Sequence, residues 1–170
     1  MRRNLEKMPY STICIGYMYG FYNAEGIPTF NTMDSFIEIK NNHIKWFLAE
    51  SAYETLNGIT EFTLTPVLMI KYDEKVRVAA NPYLPKPHNL ENYGLEKADK
   101  INAPFMEGMP LVMECQVTNR NKKGEGAFSC NLEAEIVNVN IESSFIDESG
   151  EVLLPKLFGF EEFWKFGEDK

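Results

Sequence analysis

The side chains that most often act in catalysis are present in this sequence without the spacing that catalysis needs. His43 and His88 have no Asp, Ser or Cys at the spacing of a hydrolase triad, so we expect both histidines at the surface. No pair of carboxylates stands out as a general acid and a general base. We therefore assign no catalytic residue.

The cysteines point to the same conclusion for metals. Cys14, Cys115 and Cys130 are an odd number at wide spacing, and none belongs to a CxxC or Cys/His cluster of the kind that binds zinc. We expect reduced, largely buried thiols and no metal site.

Charge and length restrict the class of protein. The 170 residues, 44% of them hydrophobic, fit a single domain over residues 1–170 that buries a continuous core. The net charge of -8 repels nucleic acid and anionic membranes, so any anionic ligand must be captured locally. No apolar run approaches the roughly 18 residues of a membrane span, and no cleavable leader is visible, so we expect a cytoplasmic protein.

One short helix is predicted in the first half of the chain. Ser51-Ala52-Tyr53-Glu54 has the form of a capping box, in which the Ser51 hydroxyl accepts from a first-turn N–H and Glu54 reaches back to the cap. Ala52, Leu56 and Ile59 follow at helical spacing, and Asn57-Gly58 is a plausible terminator.

Strands are predicted on both sides of this helix. Before it, residue patterns indicate one strand over Thr12 to Tyr22, a turn at Asn23 to Gly26, a second strand over Thr29 to Ile39 and a third over Ile44 to Leu48. After it, Glu61 to Thr65 resumes as a strand.

The segment 66–80 has two interpretations. Thr65-Pro66 is a possible N-cap with proline in the first turn of an amphipathic helix, which we prefer because Leu68, Tyr72 and Val76 share one face. The alternative is a hairpin that turns at Asp73-Glu74. The proline-rich stretch Asn81 to Asn92 is predicted to be a loop.

The last third of the chain indicates an antiparallel meander. A strand from Leu111, a basic turn over Asn119 to Gly126 and a strand over Ala127 to Val139 are followed by a further short strand. Arg120, Lys122 and Lys123 in that turn are expected to be a solvated hairpin tip. Short strands with one or two helices favour a closed or nearly closed barrel, which removes exposed strand edges.

Several short motifs, in this order, carry a resemblance to a known family. They are Gly94-Leu95, Ala103-Pro104-Phe105, the strand end Glu114-Cys115 and the aromatic pair in Phe163-Trp164-Lys165-Phe166-Gly167-Glu168. Together they resemble the flavin reductase-like, FMN-binding split-barrel family, over most of the chain from about Met8 to Glu168.

The resemblance implies an antiparallel, Greek-key split β-barrel with one or two short helices, which forms a homodimer and binds FMN at the subunit interface. It implies a flavin-dependent oxidoreductase that takes electrons from NAD(P)H or a protein donor. The residues that it places at the cofactor, several through backbone atoms, are Thr32, Ser35, Leu48, Ser51, Thr55 and Trp164. The aromatic residues near Trp164 are expected to be core or dimer contacts.

The sequence departs from the family where the flavin phosphate is expected. A basic segment with a Ser or Thr is replaced by Leu48 to Thr55, which contains Glu50 and Ala52. A phosphate there would need backbone N–H groups of the helix and a cation to offset Glu50. The alternative function is therefore a divergent split-barrel protein that has lost FMN and binds another small molecule or only dimerises.

Overall fold

Ten strands, two short α-helices and one 3-10 helix make up the part of the chain that a computed structural model describes, residues 1–9, 16–32, 36–67, 94–122 and 129–157. The strands are β1 (Arg2–Leu5), β2 (Gly16–Tyr22), β3 (Pro28–Thr32), β4 (Phe36–Lys40), β5 (His43–Leu48), β6 (Glu61–Val67), β7 (Leu95–Lys97), β8 (Pro104–Met106), β9 (Leu111–Lys122) and β10 (Cys130–Glu142). The helices are α1 (Glu50–Thr55), a 3-10 helix (Ser143–Phe145) and α2 (Leu154–Leu157).

Eight of these strands form one antiparallel sheet. Its order is β3-β2-β6-β9-β10-β5-β4, and β1 pairs with the second half of β10. β7 and β8 form a separate two-stranded sheet. The connection from β5 through α1 to β6 passes over β9 and β10, which gives the Greek-key arrangement that was predicted.

The two outer strands of this path, β3 and β4, are consecutive in the sequence. Thr32 ends β3 and Phe36 begins β4, so the chain can separate these residues by no more than about 14 Å. Because the same two strands are the edges of the sheet, the sheet must curl until its edges approach one another. This curling encloses the core.

Aromatic side chains fill the inside of the curled sheet. Trp46 is fully buried on β5, and its ring lies edge-on to Tyr19 at 5.0 Å between centroids and 5.8 Å from Phe62. On β5 and in β10 from Cys130 to Val137 the buried residues alternate with more exposed ones, as period-2 patterning requires, whereas Asn138 to Ile141 at the end of β10 are all buried. Leu56, just after α1, is also fully buried and closes one end of this core.

The predicted boundary between the strand that ends at Ile39 and the strand that begins at Ile44 is confirmed. A turn between β4 and β5 lies there, at residues 41 and 42. Asn41 and Asn42 have φ values of 51° and 62°, a left-handed conformation that Asn tolerates better than most residues. Asn42 also accepts from the Met8 N–H at 2.8 Å and donates to the Glu6 carbonyl at 2.7 Å. The turn therefore ties the N-terminal segment to the sheet.

The single strand predicted over Thr29 to Ile39 is wrong. The structure has two strands there, because β3 pairs with β2 and β4 pairs with β5. An unbroken mixture of apolar and polar residues does not reveal that the chain leaves one edge of the sheet and joins the other. The strand predicted over Thr12 to Tyr22 is confirmed from Gly16 onward, and residues 12–15 lie outside the described residues.

The predicted N-cap at Thr65-Pro66 is also wrong, because β6 continues through both residues to Val67. Pro66 lies opposite Tyr17 of β2, whereas the pairing of β6 with β9 covers only Glu61 to Leu64. At Pro66, β6 has no described partner strand on the side of β9. The N–H that proline lacks is therefore not needed for a hydrogen bond on that side, and proline is tolerated. The helix or hairpin proposed for the rest of 66–80 and the loop over Asn81 to Asn92 lie outside the described residues.

The β9–β10 hairpin is confirmed with different bounds. β9 extends to Lys122, beyond the predicted start of the turn at Asn119, and β10 extends to Glu142 rather than to Val139. The further short strand predicted after it is instead the 3-10 helix and an isolated bridge between Ile146 and Val152. In the described residues, no helix is long and apolar enough to cross a membrane.

Candidate functional site

The residues predicted to hold a cofactor fall into three groups in the structure. Leu48, Ser51 and Thr55 come together at the end of β5 and on α1. Thr32 is the last residue of β3, at an edge of the sheet. Ser35 and Trp164, like the aromatic residues around Trp164, lie outside the described residues.

Leu48 faces the interior of the curled sheet. Its side chain is fully buried, and its backbone lies opposite Cys130 of β10. Leu48 therefore has only its backbone atoms to offer a ligand outside the core. That several cofactor contacts are made by main-chain atoms stays a prediction.

The predicted capping box at Ser51 is wrong. The N-cap of α1 is Ala49, no side chain caps the helix, and α1 begins at Glu50. Ser51 is thus inside the first turn, with an exposed side chain. The Thr55 hydroxyl, also exposed, donates to the Ser51 carbonyl at 2.9 Å. Both hydroxyls are presented to solvent on a helix of only six residues.

A cation missed by the sequence prediction neutralises part of the acidic surface of α1. The Lys122 ammonium at the end of β9 donates to the Glu50 carboxylate and lies 3.7 Å from the Glu54 carboxylate. The hydrogen bond to Glu50 is the main cause that raises the pKa of Lys122 above its ordinary value. Lys122 is exposed, as expected for a solvated hairpin tip, but its ammonium is paired with these carboxylates.

Arg120 is engaged at the other end of the same helix. Its guanidinium donates to the Leu56 carbonyl at 2.7 Å and to the Ile59 carbonyl. These carbonyls follow α1, where a helix leaves acceptors without intrahelical partners. Arg120 is half-buried and holds the turn after α1 against β9, so the expectation of a solvated tip is wrong for this residue.

The Ala-Pro and Glu-Cys motifs meet in a buried polar network. Glu114 of β9 is fully buried and accepts from the Lys100 N–H at 2.6 Å, the Asp99 N–H at 3.3 Å and the Asn138 amide at 2.8 Å. A second carboxylate, Glu61, accepts from the Asn102 N–H at 2.8 Å. The two carboxylates hold the loop that leads to Ala103-Pro104.

Asn138 was missed as a member of this network. It extends the network to β1, because its amide also donates to the Asn4 side chain at 3.0 Å. The available signal was an Asn within the apolar run of β10, where a buried amide needs partners.

Close packing brings the small sheet against the large one at Gly20. A Cβ on this residue would lie 2.7 Å from the Pro104 carbonyl oxygen and 2.5 Å from a ring carbon of Phe30. The Thr63 hydroxyl donates to the same Pro104 carbonyl at 2.6 Å. The strand glycine therefore allows β8 to dock on β2 and β6.

The described cysteines do not form a redox site. Cys115 and Cys130 are free and buried, as predicted. Burial, assisted by the neighbouring Glu114 carboxylate, raises the pKa of the Cys115 thiol well above its ordinary value. A thiol that stays protonated is a poor nucleophile. Cys14 and His88 lie outside the described residues. His43, at the start of β5, is exposed as predicted and contacts Glu133 at 3.2 Å.

The α1 surface does not fit a phosphate monoester. It carries two carboxylates, Glu50 and Glu54, and one contacting ammonium, Lys122. A phosphomonoester brings a further charge of roughly -1.5 to -2, which this surface would repel. The exposed hydroxyls of Ser51 and Thr55 suit an uncharged polar group instead.

Solved structures with the same fold are found over most of the chain. Flavoredoxin of Desulfovibrio vulgaris (Miyazaki F) matches with a TM-score of 0.66 at 17% identity, over 87% of this chain and 79% of flavoredoxin. A protein with a split barrel domain from Shewanella frigidimarina NCIMB 400 matches with a TM-score of 0.63 at 14% identity, over 84% of this chain and 74% of that one.

A third match is to an enzyme whose name contains both NADH and FAD. The NADH:FAD oxidoreductase of Streptomyces globisporus C-1027 matches with a TM-score of 0.58 at 14% identity, over 79% of this chain and 78% of that one. No protein-family model matches the chain, and no curated protein matches it either. The matched structures confirm the predicted fold, a mainly antiparallel split β-barrel of the flavin reductase-like type.

Proposed function

From this split-barrel fold, which the chain shares with flavin reductases, we propose that the protein is a flavin-binding oxidoreductase. The observation that carries the proposal is the extent of the match, which covers about four-fifths of this chain in proteins named flavoredoxin and NADH:FAD oxidoreductase. Bound flavin would supply the ring that accepts and releases electrons, since such chemistry belongs to the cofactor. Because the flavin ring would carry out the electron transfer, the protein would need no catalytic side chain, and none is assigned.

The packing of the barrel supports a ligand site outside its interior. Trp46, Phe62 and Leu64 are fully buried in the core, so the described interior is filled by side chains. A flavin would therefore bind on the outer surface, near the predicted residues of β3, β5 and α1. We propose that a second copy of the chain covers it, as the family resemblance implies, and sedimentation of the purified protein tests this homodimer.

FMN is the flavin that the resemblance implies, with NAD(P)H or a protein as the electron donor. The charge on α1 does not favour its phosphate, so the flavin is proposed on the fold and not on a phosphate site. We also propose a cytoplasmic location, which the free thiols of Cys115 and Cys130 support.

The test is a visible absorption spectrum of the purified protein, recorded as isolated and after FMN, FAD or riboflavin has been added and unbound flavin removed. Flavin bands near one per subunit are expected, followed by oxidation of NADH or NADPH when donor is supplied. A protein that remains colourless with all three flavins would contradict the proposal.

A second candidate has a specific observation in its favour. Glu50 and Glu54 occupy the surface where a flavin phosphate was expected, which suits a split-barrel protein that has lost its flavin and binds another small molecule or only dimerises. In that case the protein would stay colourless, yet sediment as a dimer.

A further inference from the structure

We infer that the side chains on α1 select against a phosphate, so that this protein binds riboflavin at least as tightly as FMN. The inference rests on the proposed function and concerns the specificity of the same site. In this inference Glu50 and Glu54 determine which flavin is preferred. Lys122 is not free to bind a phosphate, because its ammonium is already paired with these two carboxylates.

The cations that contact this surface are both engaged. Lys122 contacts Glu50 and Glu54, which lie four residues apart and so share one face of α1. Arg120 donates to the carbonyls of Leu56 and Ile59. Within the described ranges, no other Lys or Arg makes an ion pair or a side-chain hydrogen bond to α1 or to the turn after it. Two carboxylates against one ammonium leave this face with a net charge of -1.

A phosphate could bind at this face only if Lys122 left one of its carboxylates. The freed carboxylate would then lie beside the incoming anion. The dipole of a six-residue helix is a small compensation, because each charge interaction at a helix end is weak at an exposed site. The side chains of Glu50 and Glu54 are 60% and 58% exposed, so solvent already satisfies them.

A hydroxyl group fits the same side chains without these costs. Riboflavin ends in a hydroxyl where FMN carries its phosphate. Such a hydroxyl can donate to Glu50 or accept from the exposed hydroxyl of Ser51, and no ion pair has to break. The surface thus favours the uncharged flavin.

The experiment compares riboflavin and FMN binding to the full chain by quenching of flavin fluorescence at low ionic strength. The variants are Glu50→Gln, Glu54→Gln and the double variant. Glu25→Gln is the matched control, since Glu25 is exposed in the β2–β3 turn and its loss changes the net charge equally. All of these sites are exposed, so the variants are expected to fold.

We expect riboflavin to bind the native protein at least as tightly as FMN. The double variant should bind FMN about five- to tenfold more tightly and riboflavin within about twofold of the native value, as Coulomb interactions over several ångströms predict. The gain should shrink as salt is added. Glu25→Gln should change neither affinity.

The outcomes separate the two proposals. Tighter binding of FMN than of riboflavin by the native protein, or an unchanged FMN affinity in the double variant, would overturn the selectivity while leaving the flavin function standing. Failure of both flavins to bind would overturn the proposed function and the selectivity together.

Discussion

Replacing the buried carboxylate Glu114 by the amide, Glu114→Gln, should destabilise the protein although the side-chain volume hardly changes. In the native protein both carboxylate oxygens accept, one from Lys100 N–H at 2.6 Å and the other from Asn138 at 2.8 Å and Asp99 N–H at 3.3 Å. The new amide has only one oxygen. If that oxygen accepts from the Lys100 N–H, the NH₂ group of the new glutamine faces two other donors, the Asn138 amide and the Asp99 N–H.

The expected cost follows from these contacts. Hydrogen bonds to a charged acceptor contribute about 1.5–3 kcal/mol and neutral ones about 0.5–1.5 kcal/mol, so the bond from Lys100 loses about 1 kcal/mol. Leaving Asn138 and Asp99 with a donor opposite them costs a further 1–3 kcal/mol or so. A buried carboxylate is itself costly to desolvate, and relief of that cost offsets part of the loss. The two losses together are about 2–4 kcal/mol, and after the offset we expect a net loss of about 1–3 kcal/mol.

Urea denaturation followed by tryptophan fluorescence measures this change. A second substitution supplies the rescue, because Asn138→Asp in the Glu114→Gln background replaces the facing donor by an acceptor. The double variant should regain at least about 1 kcal/mol relative to Glu114→Gln alone. Glu96→Gln, on exposed β7, is the control and should stay within about 0.5 kcal/mol of the native protein.

Two results would refute the account of Glu114. One is a Glu114→Gln variant as stable as the Glu96→Gln control. The other is an Asn138→Asp substitution that deepens the loss instead of reducing it, which would mean that donor–acceptor matching does not govern this network.

Three further predictions concern packing, the turn and thiol chemistry. Gly20→Ala should cost about 1–3 kcal/mol in urea denaturation, because its Cβ would lie 2.7 Å from the Pro104 carbonyl oxygen, and a loss below 0.5 kcal/mol would show that β8 can simply move away. Asn42→Ala should be less stable than Asn42→Gly by about 1–2 kcal/mol, since both lose the bonds to residues 6 and 8 but only alanine is strained at φ 62°. In a Cys14→Ser background, the buried thiols of Cys115 and Cys130 should react with a thiol reagent only after unfolding, and rapid labelling of the native protein at neutral pH would contradict their burial.

The segments predicted best are those with a strong local pattern. β5 was expected at Ile44 to Leu48 and spans His43–Leu48, and β6 was expected from Glu61 and begins there. The gap between the predicted strands that end at Ile39 and begin at Ile44 is a turn, in which Asn41 and Asn42 both adopt positive φ. Local residue preferences suffice for such features, since each depends on neighbours in sequence.

Errors occurred where a distant strand decided the outcome. Pro66 resembles a helix start by itself, but pairing with β2 keeps it extended. Ser51 has the sequence of a cap, yet the N-cap lies two residues earlier, at Ala49, and the helix begins at Glu50. The start of this short helix is set by the end of β5, which comes immediately before it. The free energy gained from a capping side chain is too small to move the helix start.

The sequence by itself determined the strand-rich class, the family resemblance and the buried thiols, because residue type and period-2 alternation express strand preference and burial directly. Only the tertiary structure decided the electrostatics of the candidate site. Lys122 lies 72 residues from Glu50 and 68 from Glu54. Such ion pairs form when the barrel curls and brings strand ends together, and no pattern of neighbouring residues records which charges will then meet.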